Sequence, residues 1–158
     1  MKGLAVFVCC LTFLSAVSCE SEIFMGPDDA AESLRIKDML QELEKATAAR
    51  NIDWIESFHL YGPRFTRVSQ NGQRLTATQS RAGEKEHFST IDEFSSEFVD
   101  LKIDVFDETA IVTGFFSFES RIGENRFPGR VLGTLVLVKR NGEWKIVYEG
   151  LVDIEPAE

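Results

Sequence analysis

Few side chains in this sequence could do acid/base chemistry, and they fall in three places. His59 stands two residues before Tyr61, in His59-Leu60-Tyr61-Gly62-Pro63. An imidazole there could give or take a proton near neutral pH. A histidine at a helix end also commonly bonds a backbone carbonyl, and the sequence leaves both roles open. Tyr148 follows Trp144 in the last apolar run and offers a phenol to a ligand or to the backbone. Its neighbour Glu149 is expected on the opposite strand face, at an interface or in solvent. His87 lies in the polar run Glu84-Lys85-Glu86-His87 and is expected to be solvated. Arg130 with Asp153 reads as a surface ion pair. Two histidines with no acid at ligand spacing do not make a metal site, so no metal and no cofactor is expected. There is no Gly-rich phosphate loop, no CxxC and no Ser/His/Asp order.

The elements that must position these groups are organised around Val131–Asp153. Two apolar runs meet at Asn141-Gly142, a strong signal for a two-residue turn with φ > 0 at both central positions. Continuous pairing from that turn sets Arg140 against Glu143, Leu137 against Ile146, Leu135 against Tyr148 and Gly133 against Gly150. Alternation then puts Leu135, Leu137, Trp144, Ile146 and Tyr148 on one face, around a dent at the paired glycines. The dent is either a pocket floor or a bend in the sheet. The other face carries Val136, Val147, Leu132 and Leu151. An apolar strip of that kind predicts a homodimer through the sheet.

Upstream, Leu34, Met39, Leu40, Leu43 and Ala46 or Thr47 recur at helical spacing, with Ile36 broadening the stripe, after a start at Pro27-Asp28-Asp29. A short helix follows, capped by Asn51 or Asp53 and carrying Trp54, Ile55 and Phe58. Phe65 to Ser69 reads as a strand, Arg74 to Arg81 as irregular chain, and Ala82 to Glu93 as a third helix. From Glu97 the period becomes two: Ile103 and Val105 face Val112 and Ala110 across a turn at Asp107-Glu108. Helices followed by long strands predict an α+β fold, a curved antiparallel sheet with three N-terminal helices forming a cone.

The 158 residues suffice for one domain plus an export segment. Residues 1–18 read as a signal peptide, residues 19–31 as a flexible tether, and residues 32–155 as the domain. Leu14 to Cys19 also resembles a lipobox, which would make Cys19 a lipidated first residue. The chain is thus expected to be exported: periplasmic or membrane-anchored as a lipoprotein, or else secreted. All three cysteines lie within Met1–Cys19, so no disulfide is expected in the domain. The net charge of −9 argues against nucleic acid, and against a membrane except through the lipid anchor.

Three stretches carry a family resemblance: Ile52-Asp53-Trp54-Ile55 with His59 to Phe65, Leu101 to Val105 before Thr109 to Gly114, and Gly133 to Arg140 before Gly142 to Val147. Together the sequence resembles the nuclear transport factor 2-like superfamily, in its SnoaL-like and ketosteroid-isomerase-like branch, over about Ser33 to Asp153. The resemblance implies a cone with a pocket on its concave side and a sheet that commonly packs on a second copy. It implies a pocket drawn from Trp54, Phe58, Tyr61, Gly133, Leu135, Trp144, Ile146 and Gly150, with His59 and Tyr148 as candidate catalytic groups. A steroid isomerase of this kind would need a carboxylate base where the first strand begins, and Tyr61 to Thr66 holds none. Histidines common at the end of the last strand are replaced by Tyr148-Glu149-Gly150-Leu151. The expected function is therefore binding of a small apolar or amphipathic molecule, or a dimeric interaction module. The alternative is an isomerase, dehydratase or cyclase.

Overall fold

The computed structural model describes residues 27–154. The expected signal peptide and Cys19 lie outside them. Helix α1 (Pro27–Ala48) begins at the expected start, so residues 27–31 belong to it and not to a tether. Its inner face is Ile36, Leu40, Leu43 and Ala46, all buried. Leu34, expected in that stripe, is 63% exposed, because the stripe follows the 3.6-residue period from Ile36. Helix α2 (Ile52–Ser57) is capped by the Asn51 side chain, which accepts from Trp54 N at 3.1 Å.

Two short strands, β1 (Thr66–Val68) and β2 (Arg74–Thr76), precede helix α3 (Ala77–Thr90). Residues 74–81, expected to be irregular, are thus a strand and a helix start. The reason is a capping box: the Thr76 side chain accepts from Gln79 N, and the Gln79 side chain accepts from Thr76 N. The long strands β3 (Glu93–Phe106), β4 (Thr109–Ile122), β5 (Asn125–Arg140) and β6 (Glu143–Asp153) form a meander. The sheet order is β2-β1-β6-β5-β4-β3, and only β1 against β6 is parallel. The fold is the expected α+β arrangement, with helices across one face of a curved sheet.

Asn141 and Gly142 both have φ > 0 (53° and 83°), as their hairpin requires. Val105 faces Ala110 and Ile103 faces Val112. The core joins α1 and Ile55 to Val112, Leu135, Leu137, Trp144 and Ile146. No helix among the described residues is long and apolar enough to cross a membrane.

One irregularity decides what faces inward. The β5–β6 ladder runs as expected from Arg140/Glu143 to Leu137/Ile146, then slips by one residue, so that Val136 pairs with Tyr148 and Leu135 with Glu149. Val147 is the extra residue of a β-bulge. A one-residue slip sends every later side chain to the opposite face. Glu149 and Leu151 turn inward; Tyr148 and Gly150 turn outward. Gly133 pairs with Leu151 and Gly150 with Thr134, so the expected Gly133/Gly150 dent does not form.

Candidate functional site: an aromatic cavity with a charged end

The concave face encloses a cavity of about 370 Å³. Phe94 and Phe98 on β3, Phe116 and Phe118 on β4, and Phe88 on α3 form its aromatic wall. Leu101, Val112, Val131, Leu135 and Leu151 complete the apolar lining, and Gly133 leaves space beside Leu151. An added Cβ at Gly133 would meet nothing closer than 3.7 Å. Alternation on β3 and β4 brings the phenylalanines together: Phe98 pairs with Phe116, and their rings lie 5.2 Å apart.

One end is charged, with Arg67, Glu84 and Glu149 all lining it. Arg67 reaches this place because β1 pairs in parallel with β6, which sets Arg67 directly beside Glu149. Its Nε donates to Glu149 Oε2 and its Nη2 to Glu84 Oε1. Tyr61 donates its phenol to Glu84 Oε2 at 2.9 Å. Residues 58–60 run alongside β6, with Ile146 N donating to Phe58 O at 2.9 Å and Leu60 N to Ile146 O at 2.8 Å. That strap carries His59 behind the cavity. Its Nδ1 lies 2.9 Å from Ile55 O and its Nε2 3.0 Å from Glu149 Oε1.

Both acceptors are oxygens without protons, so both ring nitrogens donate and His59 is an imidazolium. Burial opposes that charge, but the Glu149 carboxylate outweighs it and raises the His59 pKa. Burial likewise opposes the Glu149 charge; Arg67 and then His59 overcome it and hold the carboxyl down at about 2. Burial and Glu84 push the Tyr61 phenol up, so it stays a donor. For Arg67, burial is again outweighed by Glu149 and Glu84, and its pKa rises.

His59, Glu84 and Glu149 offer donor atoms within 4.8 Å of one another, the kind of trio that can hold a cation. Arg67 already bonds both carboxylates, and His59 spends both nitrogens. The cation position is taken by a guanidinium.

The expected residues divide clearly. Gly133 and Leu135 line the cavity, and Tyr61 and His59 hold its charged end from behind. Phe58 packs against the core. Trp144 and Ile146 are buried core residues away from the lining, with Trp144 Nε1 donating to Glu32 at 2.8 Å. Trp54 is 36% exposed and does not reach the cavity. Tyr148 and Gly150 share the outer face: a Cβ on Gly150 would lie 2.8 Å from the Tyr148 hydroxyl. His59 and Tyr148 therefore do not converge. Sequence reasoning missed Arg67, Glu84, the inward Glu149 and the phenylalanine wall. His87 is exposed, as expected; one side of its ring also packs edge-on against Phe88 and Phe94 at the rim of the cavity, and burial lowers its pKa.

Three helices and a curved six-stranded sheet thus surround an aromatic cavity. The chain belongs to the SnoaL-like domain family, which it matches over residues 36–151. No curated protein matches it. A candidate dehydratase of the nuclear transport factor 2-like family from Streptomyces avermitilis has a TM-score of 0.73 at 15% identity, covering 83% of this chain and 100% of that one. A candidate scytalone dehydratase from Novosphingobium aromaticivorans has a TM-score of 0.70 at 15% identity, covering 80% and 87%. A candidate calcium/calmodulin-dependent kinase II association domain from Exiguobacterium sibiricum has a TM-score of 0.67 at 17% identity, covering 80% and 96%. At these identities the likeness is one of fold.

Proposed function

We propose that this chain is an exported binding domain whose cavity takes a small, largely aromatic or apolar molecule. The carrying observation is the 370 Å³ cavity, walled by phenylalanines and closed at one end by a few fixed polar groups. That is the usual composition of a small-molecule site. Binding is favoured over catalysis by the state of the charged end. Glu149 is held too acidic to act as a base near neutral pH, and His59 spends both protons on Ile55 and Glu149.

A second reading, a dehydratase-type enzyme, has one observation in its favour. His87 presents a ring with a lowered pKa at the cavity, and its neutral form could accept a proton. The two dehydratase names among the structural neighbours agree with that reading. Export follows the apolar core and small residues of residues 1–18, and is tested by the mature N-terminus in the native host.

A homodimer through the outer sheet face completes the proposal. Leu132, Ile111 and Val152 are exposed on the long strands, and Leu132 and Val152 pair across β5 and β6. Calorimetric titration with small aromatic molecules tests the binding reading. Saturable binding that is lost when Gly133→Leu fills the cavity supports it; binding unaffected by Gly133→Leu contradicts it.

A further inference from the structure

The two long helices are held in different ways. Helix α1 buries Ile36, Leu40, Leu43 and Ala46. The inward stripe of α3 is Ala77, Ser80, Glu84 and Phe88, and Phe88 is its one large apolar member. Ser80 is buried, and its hydroxyl has no hydrogen-bond partner among the described residues. A buried hydroxyl without a partner destabilises the closed helix relative to a state in which it meets water. Gly83 sits mid-helix, and an added Cβ there would meet nothing within 4 Å. No close packing calls for glycine at that position, so its effect is to weaken the helix. What fastens the middle of α3 is mostly polar. Glu84 accepts from Arg67 and from Tyr61, and Arg81 donates twice to Glu56 at the surface, at 2.8 and 2.6 Å. Phe88 adds an edge-on contact with Phe94, ring centres 5.3 Å apart. Both ends are fixed more firmly. The start continues from β2, which pairs with β1, and Ile91 just past the end is buried with its carbonyl accepting from Arg50.

We infer that α3 is a lid: it unwinds between these two fixed ends, lifts Glu84, His87 and Phe88 off the cavity they line, and so admits and releases the occupant. The open state strands no buried charge. Arg67 keeps Glu149 when Glu84 leaves, and Glu84 itself passes into water. Glu44, Glu84 and Glu149 all line the cavity, so Glu84 leaves a place already rich in carboxylates. The Ser80 hydroxyl gains the partner it lacks in the closed state. The gating role rests on the reading of the cavity as a binding site; the opening of α3 does not.

The test has two arms on the full chain. Without ligand, native-state hydrogen exchange by NMR should show the amides of residues 81–88 opening together, at least about a hundredfold more often than those of residues 36–46 in α1. Exchange of both helices through one common opening would overturn the lid and leave the binding reading standing. With ligand, stopped-flow tryptophan fluorescence follows 2-acetylnaphthalene entering and leaving the unaltered chain and Gly83→Ala. The added methyl points into open space and touches no cavity residue, so it changes only the stability of the helix. If α3 must unwind for passage, Gly83→Ala slows association and dissociation alike, each by about fivefold, and leaves the affinity unchanged. Unchanged rates would overturn the gating role, and a change in affinity without one in the association rate would do the same. Failure of the probe to bind either protein would count against the binding reading, and the exchange arm then decides alone whether α3 opens.

Discussion

Glu149→Gln is the substitution whose cost can be worked most directly from the structure. The Glu149 carboxyl is held at about 2, against an ordinary 4.5, by Arg67 and His59 working against burial. A tenfold change in acidity corresponds to about 1.4 kcal/mol, so the charged form stabilises the fold by about 3 kcal/mol at neutral pH. A carboxylate with a depressed folded pKa contributes fully above its unfolded pKa and loses that contribution as pH falls through the folded one. The window is therefore pH 4.5 down to about 2. Urea unfolding of the two proteins should differ by about 3 kcal/mol at pH 7, and by less than half of that near pH 3, since about 2 kcal/mol of the linkage is then lost. His59 gives an independent readout. Its raised pKa contributes stability below 6.5 and loses it as pH rises past the folded value, so its NMR titration should move down in Glu149→Gln. A deficit under about 1 kcal/mol at pH 7, or one that stays constant from pH 5 to pH 3, would refute the inward, ion-paired placement of Glu149.

Four further outcomes are expected from the same geometry. Gly133→Leu should remove ligand binding, because its side chain enters the cavity with no contact closer than 3.7 Å from the added Cβ. Gly150→Ala should leave binding intact and displace the Tyr148 ring, visible as a changed tyrosine ring signal in NMR. Leu132→Glu should shift the sedimentation profile from dimer to monomer; a dimer of unchanged affinity would place the interface elsewhere. The His87 imidazole should titrate below 6.5 by NMR, and a ligand seated in the cavity should perturb that titration.

The helices were legible wherever periodicity and breakers agreed: α1 from its apolar stripe, α2 from Asn51 and its cap. The start of α3 was readable too, in Thr76 and Gln79 three positions apart, but the polar residues around it masked the capping box. The Asn141-Gly142 turn gave the register of the last hairpin correctly as far as Leu137/Ile146. Beyond that point no local signal marked the bulge at Val147. Either register leaves apolar residues on both faces, so the pattern held no preference, and one inserted residue reversed Tyr148 and Glu149. Arg67 had no signal of its own. Its role comes from the parallel pairing of β1 with β6, which joins residues 82 apart in sequence. The phenylalanine wall was not visible either: the β3–β4 ladder is what brings Phe116 and Phe118 beside Phe94 and Phe98.

The central claim is that the inner face of the sheet, and not its outer face, receives a small aromatic molecule. Methyl NMR on the full chain, titrated with 2-acetylnaphthalene, tests it most directly. Saturable ring-current shifts are expected at Leu101, Val112, Val131, Leu135 and Leu151, which line the cavity, with Leu132, Val136 and Val152 unmoved. Shifts confined to Leu132, Val136 and Val152, or no saturable shift at any of these residues, would contradict it.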